Sequence, residues 1–189
     1  ALASMESHLK NRFTLITQNV DNLHILAGNS LARTLQIHGN IFQVRCASAC
    51  TDEIYSLPEG VSPKAKGSAL TDAERRSLKC ANCGSWLRPH VLWFDETYNE
   101  RHYHFYSALE TAKRTRLLIT VGTAGATTLP NQIVSLVLSN GGLMFDINVA
   151  DNPFAVLAMQ SEQGIFIRRT SSEALVALLH TIASVKSNL

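Results

Sequence analysis

Three polar side chains, Gln18, Asn19 and Asp21, close an apolar run, Phe13-Thr14-Leu15-Ile16-Thr17. In folds that alternate strands and helices, ligands bind beyond the carboxyl ends of the strands, so these groups would face a crevice rather than a core. Amides serve a neutral ligand well, because they donate and accept hydrogen bonds without the desolvation cost of a charge. An Asx turn in an ordinary loop would use the same residues. His38 ends a second apolar segment, Leu35 to His38, beside Gly39. Its unperturbed pKa of about 6.5 leaves the imidazole mostly neutral near pH 7, which suits a general base; a lone histidine at a strand end is otherwise a packed or surface residue. His24, His90, His102 and His104 fall on presumed loops or helices and are assigned no chemistry. Gly122-Thr123-Ala124-Gly125 follows a third apolar segment, where glycine permits close backbone approach and the N–H groups of a following helix can receive a ligand oxygen. Asn148, after Leu143 to Ile147, is either a ligand contact or a structural cap.

The four cysteines form two close pairs, Cys46/Cys50 and Cys80/Cys83. Two intervening residues in the second pair let both thiolates turn toward one ion, and Gly84 relaxes the turn behind them. Three intervening residues in the first pair remain within the range of tetrahedral zinc sites. Two disulfides would be the reading for a secreted chain, whereas a reducing compartment favours metal. Four thiolates close the coordination shell, so such a zinc would hold structure rather than activate water. The segment from Cys46 to Arg88, broken by Pro58, Gly60, Pro63 and Gly67, is too poor in apolar residues to make a core, and a metal staple answers that need.

The elements that must position these groups follow from periodicity. Strands are expected at Phe13 to Thr17, Leu35 to His38, Leu117 to Val121, Leu143 to Val149 and Ile165 to Arg168. Helices are expected over Leu2 to Lys10, Asn99 to Arg114, Leu129 to Ser139 and Ser171 to Val185, the last with Ser171/Ser172 at its N-cap. Their alternation predicts an α/β fold, a Rossmann-like parallel sheet with helices on both faces and right-handed crossovers, plus the small zinc-binding insertion. Residues 1–45 and 89–189 would form the main domain and 46–88 the inserted module.

Taken in order, Thr17-Gln18-Asn19-Val20-Asp21-Asn22-Leu23-His24, Ala27-Gly28, Ile37-His38-Gly39, the cysteine pairs, Arg88-Pro89-His90-Val91-Leu92-Trp93-Phe94-Asp95-Glu96, Val121-Gly122-Thr123 and Ile147-Asn148 resemble the sirtuins, NAD-dependent protein lysine deacylases. The resemblance covers nearly the whole chain. It implies that NAD is cosubstrate and zinc structural, and that an acyl-lysine protein or peptide is the partner. It further implies that His38 takes a proton from the NAD ribose after the acyl oxygen has attacked the carbon bearing nicotinamide. Asn19 and Asp21 would hold the nicotinamide amide and a water beneath the ribose, Gln18 the ribose hydroxyls, and Gly122, Thr123 and Asn148 the rest of the cofactor. Val91, Trp93 and Phe94 would belong to the substrate segment, with Phe94 walling the acyl-lysine tunnel, although plain core packing also accounts for Trp93 and Phe94.

Three departures stand out: Ala124 replaces the family's serine, Asp95 its glycine, and the Gly-Ala-Gly-Ile-Ser phosphate loop has no counterpart in these residues. An aspartate where glycine served a positive φ would reshape the loop. A chain lacking the phosphate loop would bind NAD weakly. The wording of Arg88 to Phe94 is nearest to bacterial sirtuins and to the class that removes acidic acyl groups, but leaves acyl preference open. Mono-ADP-ribosyl transfer, or a zinc-stapled binding module that has lost catalysis, are the competing readings.

Composition narrows the field from another side. With 189 residues, 46% hydrophobic and 17% charged, the chain can bury roughly 70% of its unfolded surface. A net charge of +2 and a pI near 8.4 are too mild to point to nucleic acid. Neither a run of roughly 20 apolar residues nor a signal-type leader is present in the sequence, so no membrane partner and a cytoplasmic location are expected.

Overall fold

The computed structural model describes residues 1–62 and 64–187; Pro63, one of the expected interruptions of the insertion, lies outside them. In chain order the elements are α1 (Leu2–Leu9), β1 (Leu15–Thr17), α2 (Leu23–Leu26), β2 (Thr34–Gln36), β3 (Gly39–Cys46), β4 (Ile54–Ser56), α3 (Asp72–Ser77), β5 (Leu87–Val91), α4 (Glu100–Tyr103), α5 (Phe105–Arg114), β6 (Leu117–Val121), α6 (Thr128–Ser139), β7 (Leu143–Asn148), α7 (Pro153–Gln160), β8 (Gly164–Arg168) and α8 (Ser171–Ser187).

The expected parallel pairing is present, divided between two sheets. β1 pairs with β2, and β6-β7-β8 form a second parallel sheet. Alternation along the strands separates two faces. Leu118 and Met144 point toward α5, α6 and α7, packing near Ala108, Ala112, Leu129, Ile133, Val134 and Phe154. Ile119, Val121, Ile147 and Ile167 point the other way, against Met5 of α1 and Ala174 and Leu175 of α8. Helices therefore cover both faces.

β2 stops at Gln36 rather than running on to His38. The Ile37 N–H still bonds the Thr17 carbonyl at 3.1 Å, but Gly39 then takes φ +85° and turns the chain into β3. A Cβ at Gly39 would lie 2.0 Å from the His90 carbonyl oxygen, so backbone angle and space both require glycine there. β3 pairs antiparallel with β4 and β5, and that sheet extends past the expected module of residues 46–88 on both sides, from Gly39 to Val91. The helix expected over Asn99 to Arg114 is broken at His104, which has φ +53°. Glu100 braces the break by accepting from the Ser107 N–H at 3.0 Å and hydroxyl at 2.5 Å.

α7 had not been expected, yet its start is written in Asn152-Pro153. Asn152 Oδ1 accepts from the Phe154 and Ala155 N–H groups at 2.8 and 3.2 Å, and proline occupies the first turn. Asn152 Nδ2 donates to the fully buried Asp146 at 2.8 Å, whose other oxygen accepts from Thr120 at 2.5 Å. The buried carboxylate is thus satisfied on both oxygens and ties the helix cap to the sheet. Among the described residues no helix is long and apolar enough to cross a membrane.

Candidate active site and metal centre

Strand ends bring Gln18, Thr123 and Asn148, three of the expected cofactor residues, together. Gln18 Nε2 donates to Thr123 Oγ1 at 3.0 Å, Thr127 Oγ1 donates to Gln18 Oε1 at 3.0 Å, and Asn148 Nδ2 donates to the Thr123 carbonyl at 3.2 Å. The ends of β1, β6 and β7 are thereby joined by amides and hydroxyls with no net charge among them. Gly122 holds φ +61° as the chain leaves β6, and a Cβ there would meet nothing within 4 Å, so its backbone is open to an approaching group.

His38 is half-buried in the turn between β2 and β3. Burial pushes its pKa below the usual histidine range, and a hydrogen bond with the Gln18 carbonyl partly restores it. The ring is therefore a neutral imidazole. Its Nε2 lies 2.7 Å from the Tyr98 hydroxyl, and its own carbonyl accepts from the Leu92 N–H at 3.0 Å, which fixes the end of β5 beside it.

Asn19 and Asp21 are placed less directly. Asn19 is exposed, with its N–H on Thr17 Oγ1 at 3.1 Å. Asp21 Oδ1 accepts from the Leu23 N–H at 3.0 Å, the Asx turn of an ordinary loop, and so opens α2. Between them and His38 sits a cluster the sequence reasoning missed. Asn22, at φ +62°, accepts through Oδ1 from Gln36 at 3.2 Å and Asn40 at 2.9 Å. Asn22 was quoted above without a role; its signal was the asparagine that tolerates the left-handed region. Tyr98 and Thr127 were missed because their partners, His38 and Gln18, lie far away in sequence.

The segment after β5 is held by an ionic clasp. Arg45 and Arg88 are directly paired across β3 and β5, a placement that would repel. Glu96 lies between them, bound to Arg45 Nη2 at 2.5 Å and also to Arg88, while its second oxygen accepts from the Trp93 N–H at 2.9 Å. Arg88 donates further to the Val91 carbonyl at 3.1 Å and stacks over the Trp93 ring at 4.0 Å. With its base clasped, the turn presents Trp93 and Phe94 to solvent, Phe94 fully exposed, so core packing does not account for them. Asp95 lacks a positive φ, so it sits in this turn without left-handed backbone strain.

In the module, the four cysteine sulfurs all lie within 4.8 Å of one another. Cys46 and Cys83 are 3.5 Å apart, as are Cys50 and Cys80, far beyond the roughly 2.05 Å of a disulfide. A tetrahedron of zinc–sulfur bonds of about 2.3 Å has edges of about 3.8 Å, so the cluster fits zinc closely. The Cys50 N–H holds the Cys46 thiol down to about 6 and the N–H groups of Cys83 and Asn82 lower that of Cys80, while the surrounding Cys83, Cys46 and Cys80 thiols push Cys50 up to about 12, so the four sulfurs titrate as one cluster. The longer first loop closes through Ala49 at φ +47°.

Comparison with known proteins agrees with this architecture. A model of the Sir2 family matches residues 1–128. An NAD-dependent protein deacylase from Leptospira interrogans (serovar copenhageni) is 32% identical over 170 residues, covering 90% of this chain and 61% of that protein. One from Pyrococcus furiosus is 32% identical over 171 residues, covering 90% of this chain and 62% of its own length. The chain thus spans about three fifths of the curated relatives it matches. A Sir2 homologue solved as an NAD complex superposes with a TM-score of 0.75 at 24% identity, over 97% of this chain and 64% of that one. A Sir2 structure with a p53 peptide and NAD+ gives 0.68 at 19% identity, over 100% and 70%. Family match, identity and fold converge: the chain belongs to the Sir2 family.

Proposed function

We propose that this chain carries out NAD-dependent removal of acyl groups from protein lysines, releasing nicotinamide and O-acyl-ADP-ribose. The observation that carries the reading is His38, a neutral imidazole set beside an uncharged cradle of Gln18, Thr123 and Asn148 and adjoining the exposed Trp93–Phe94 turn. Relatives bearing the name NAD-dependent protein deacylase support it, as do Sir2 structures with NAD and with peptide. The bound dinucleotide would supply an electrophilic carbon on loss of nicotinamide. In this reading Gln18, Thr123 and Asn148 orient its hydroxyls, Gly122 admits it closely, and Asn19 and Asp21 attend the nicotinamide end. His38 accepts a ribose hydroxyl proton. Val91, Trp93 and Phe94 line the path of an extended acyl-lysine peptide, which would lie beside β5, an edge strand of its sheet.

The test is nicotinamide release from NAD with and without an acetylated or succinylated lysine peptide. His38→Ala should lower acyl-dependent turnover by about 10²–10⁴-fold with the melting temperature preserved. Release without any dependence on acyl peptide would point instead to ADP-ribosyl transfer, and wild-type turnover in His38→Ala would remove His38 from the chemistry.

A further inference from the structure

Nε2 of His38, the nitrogen a substrate hydroxyl would address, is already engaged by Tyr98. The hydroxyl stands 2.7 Å away. Nε2 can act as a base only in the tautomer that carries its proton on the other ring nitrogen, Nδ1. Nε2 is then bare, and Tyr98 must be the donor toward it. We propose, resting on the deacylase reading, that Tyr98 is a second proton-transfer residue of this site, passing the substrate hydroxyl's proton to His38.

Two arrangements support a relay over a movable plug. The phenol ring is held in place: it stacks on Phe105 at 6.2 Å and 26°, lies 5.8 Å from the imidazole, and packs against the cluster of Ile37, Ala108 and Leu129. A plug would need to swing clear of these contacts. The second arrangement is Thr127, whose hydroxyl donates to Gln18 Oε1 at 3.0 Å and draws the Tyr98 pKa down against the larger effect of burial. Turning its hydrogen from the amide to the phenol oxygen would stabilise that oxygen while its own proton is in transit. Burial raises the Tyr98 pKa, keeping the phenol protonated at rest.

The step balances. The substrate O–H bond breaks and leaves its electron pair on the substrate oxygen; its proton binds Tyr98 Oη. The Tyr98 proton moves to Nε2, which becomes an imidazolium. Tyr98 ends as it began.

The first experiment needs no turnover. In the 15N-labelled chain His38 should read as the Nδ1–H tautomer with an unprotonated, hydrogen-bonded Nε2. Tyr98→Phe, which keeps the ring, should shift the Nε2 resonance with the melting temperature unchanged. A protonated Nε2, or one indifferent to Tyr98→Phe, would overturn the proposal. Kinetics then separate relay from plug. Tyr98→Phe should lower kcat for acyl-dependent nicotinamide release by about 10- to 100-fold, leave KM for NAD in place, and add nothing to His38→Ala. An unchanged or raised kcat would overturn the relay alone. Absence of any acyl-dependent release would overturn the deacylase reading, and the relay with it.

Discussion

Removing the Glu96 carboxylate is the sharpest test of how the exposed turn is held. In Glu96→Ala, Arg45 and Arg88, whose side chains are only 13% and 10% exposed, would face each other across β3 and β5 with no anion between them, and the Trp93 N–H would lose its acceptor. Deleting one partner of a fully buried pair costs about 3–5 kcal/mol. Glu96 is itself 26% exposed, so water can reach the site and screen part of the repulsion. The expected loss is about 2–4 kcal/mol, or roughly 5–15 °C in melting temperature for a domain of this size. Glu96→Gln, which keeps an acceptor for Trp93 but not the charge, should fall between Glu96→Ala and wild type. Thermal melting and urea unfolding measure the loss, and hydrogen exchange at the Trp93 amide reports the turn itself. If Glu96→Ala melted within about 2 °C of wild type with Trp93 still protected, the clasp would be a surface ion pair of little consequence, and the placement of Trp93 and Phe94 would need another cause.

Two further outcomes follow from the module and its neighbour. Elemental analysis of protein purified without chelator should find one zinc per chain, and stripping it should lower the melting temperature and expose Cys46, Cys50, Cys80 and Cys83 to thiol reagents, since metal binding is here part of folding. Unreactive thiols after stripping would contradict this. His90 is 2% exposed, stacked on Tyr103 at 5.4 Å, and burial depresses it to about 4. The unfolded chain therefore takes up a proton between pH 6.5 and about 4 that the folded chain refuses, so His90's contribution is fully present above pH 6.5 and is lost as pH falls through that window. The melting temperature of the wild type should decline on acidification from pH 7 to 5 more steeply than that of His90→Phe; parallel declines would show that His90 titrates normally in the fold.

How much of this was legible in the sequence depended on the range of the interaction that decides each feature. β6, β7 and β8 were readable because their burial pattern is local and periodic. The cysteine site was readable because metal ligands come in spaced pairs, and the two Cys pairs needed only the fold to bring them together. β3 and β5 were not, since their residues, Gly39-Asn40-Ile41-Phe42-Gln43-Val44-Arg45-Cys46 and Leu87-Arg88-Pro89-His90-Val91, mix charge and proline in a way that only their pairing resolves. The break at His104 was hidden too, because the helical spacing continues through it and the brace is a Glu100–Ser107 contact. At the proposed site, Gln18, His38, Thr123 and Asn148 are candidates by type and position alone, whereas Tyr98 becomes one only once the chain has folded it onto His38.

The same geometry explains why the cysteine module should bear on the proposed chemistry. Arg45 immediately precedes Cys46, and the Cys46–Leu87 pairing next to it fixes the register in which Arg45 faces Arg88. A single carboxylate can bridge two guanidinium groups only if that register holds. Glu96 then fixes the Trp93 N–H, and the Leu92 N–H on the His38 carbonyl carries the constraint to the turn that holds the imidazole. Each link is a short, directional bond between neighbours, so loosening the metal knuckles should relax the Trp93–Phe94 turn before it disturbs the parallel sheets, whose cores share no residue with the cysteine cluster.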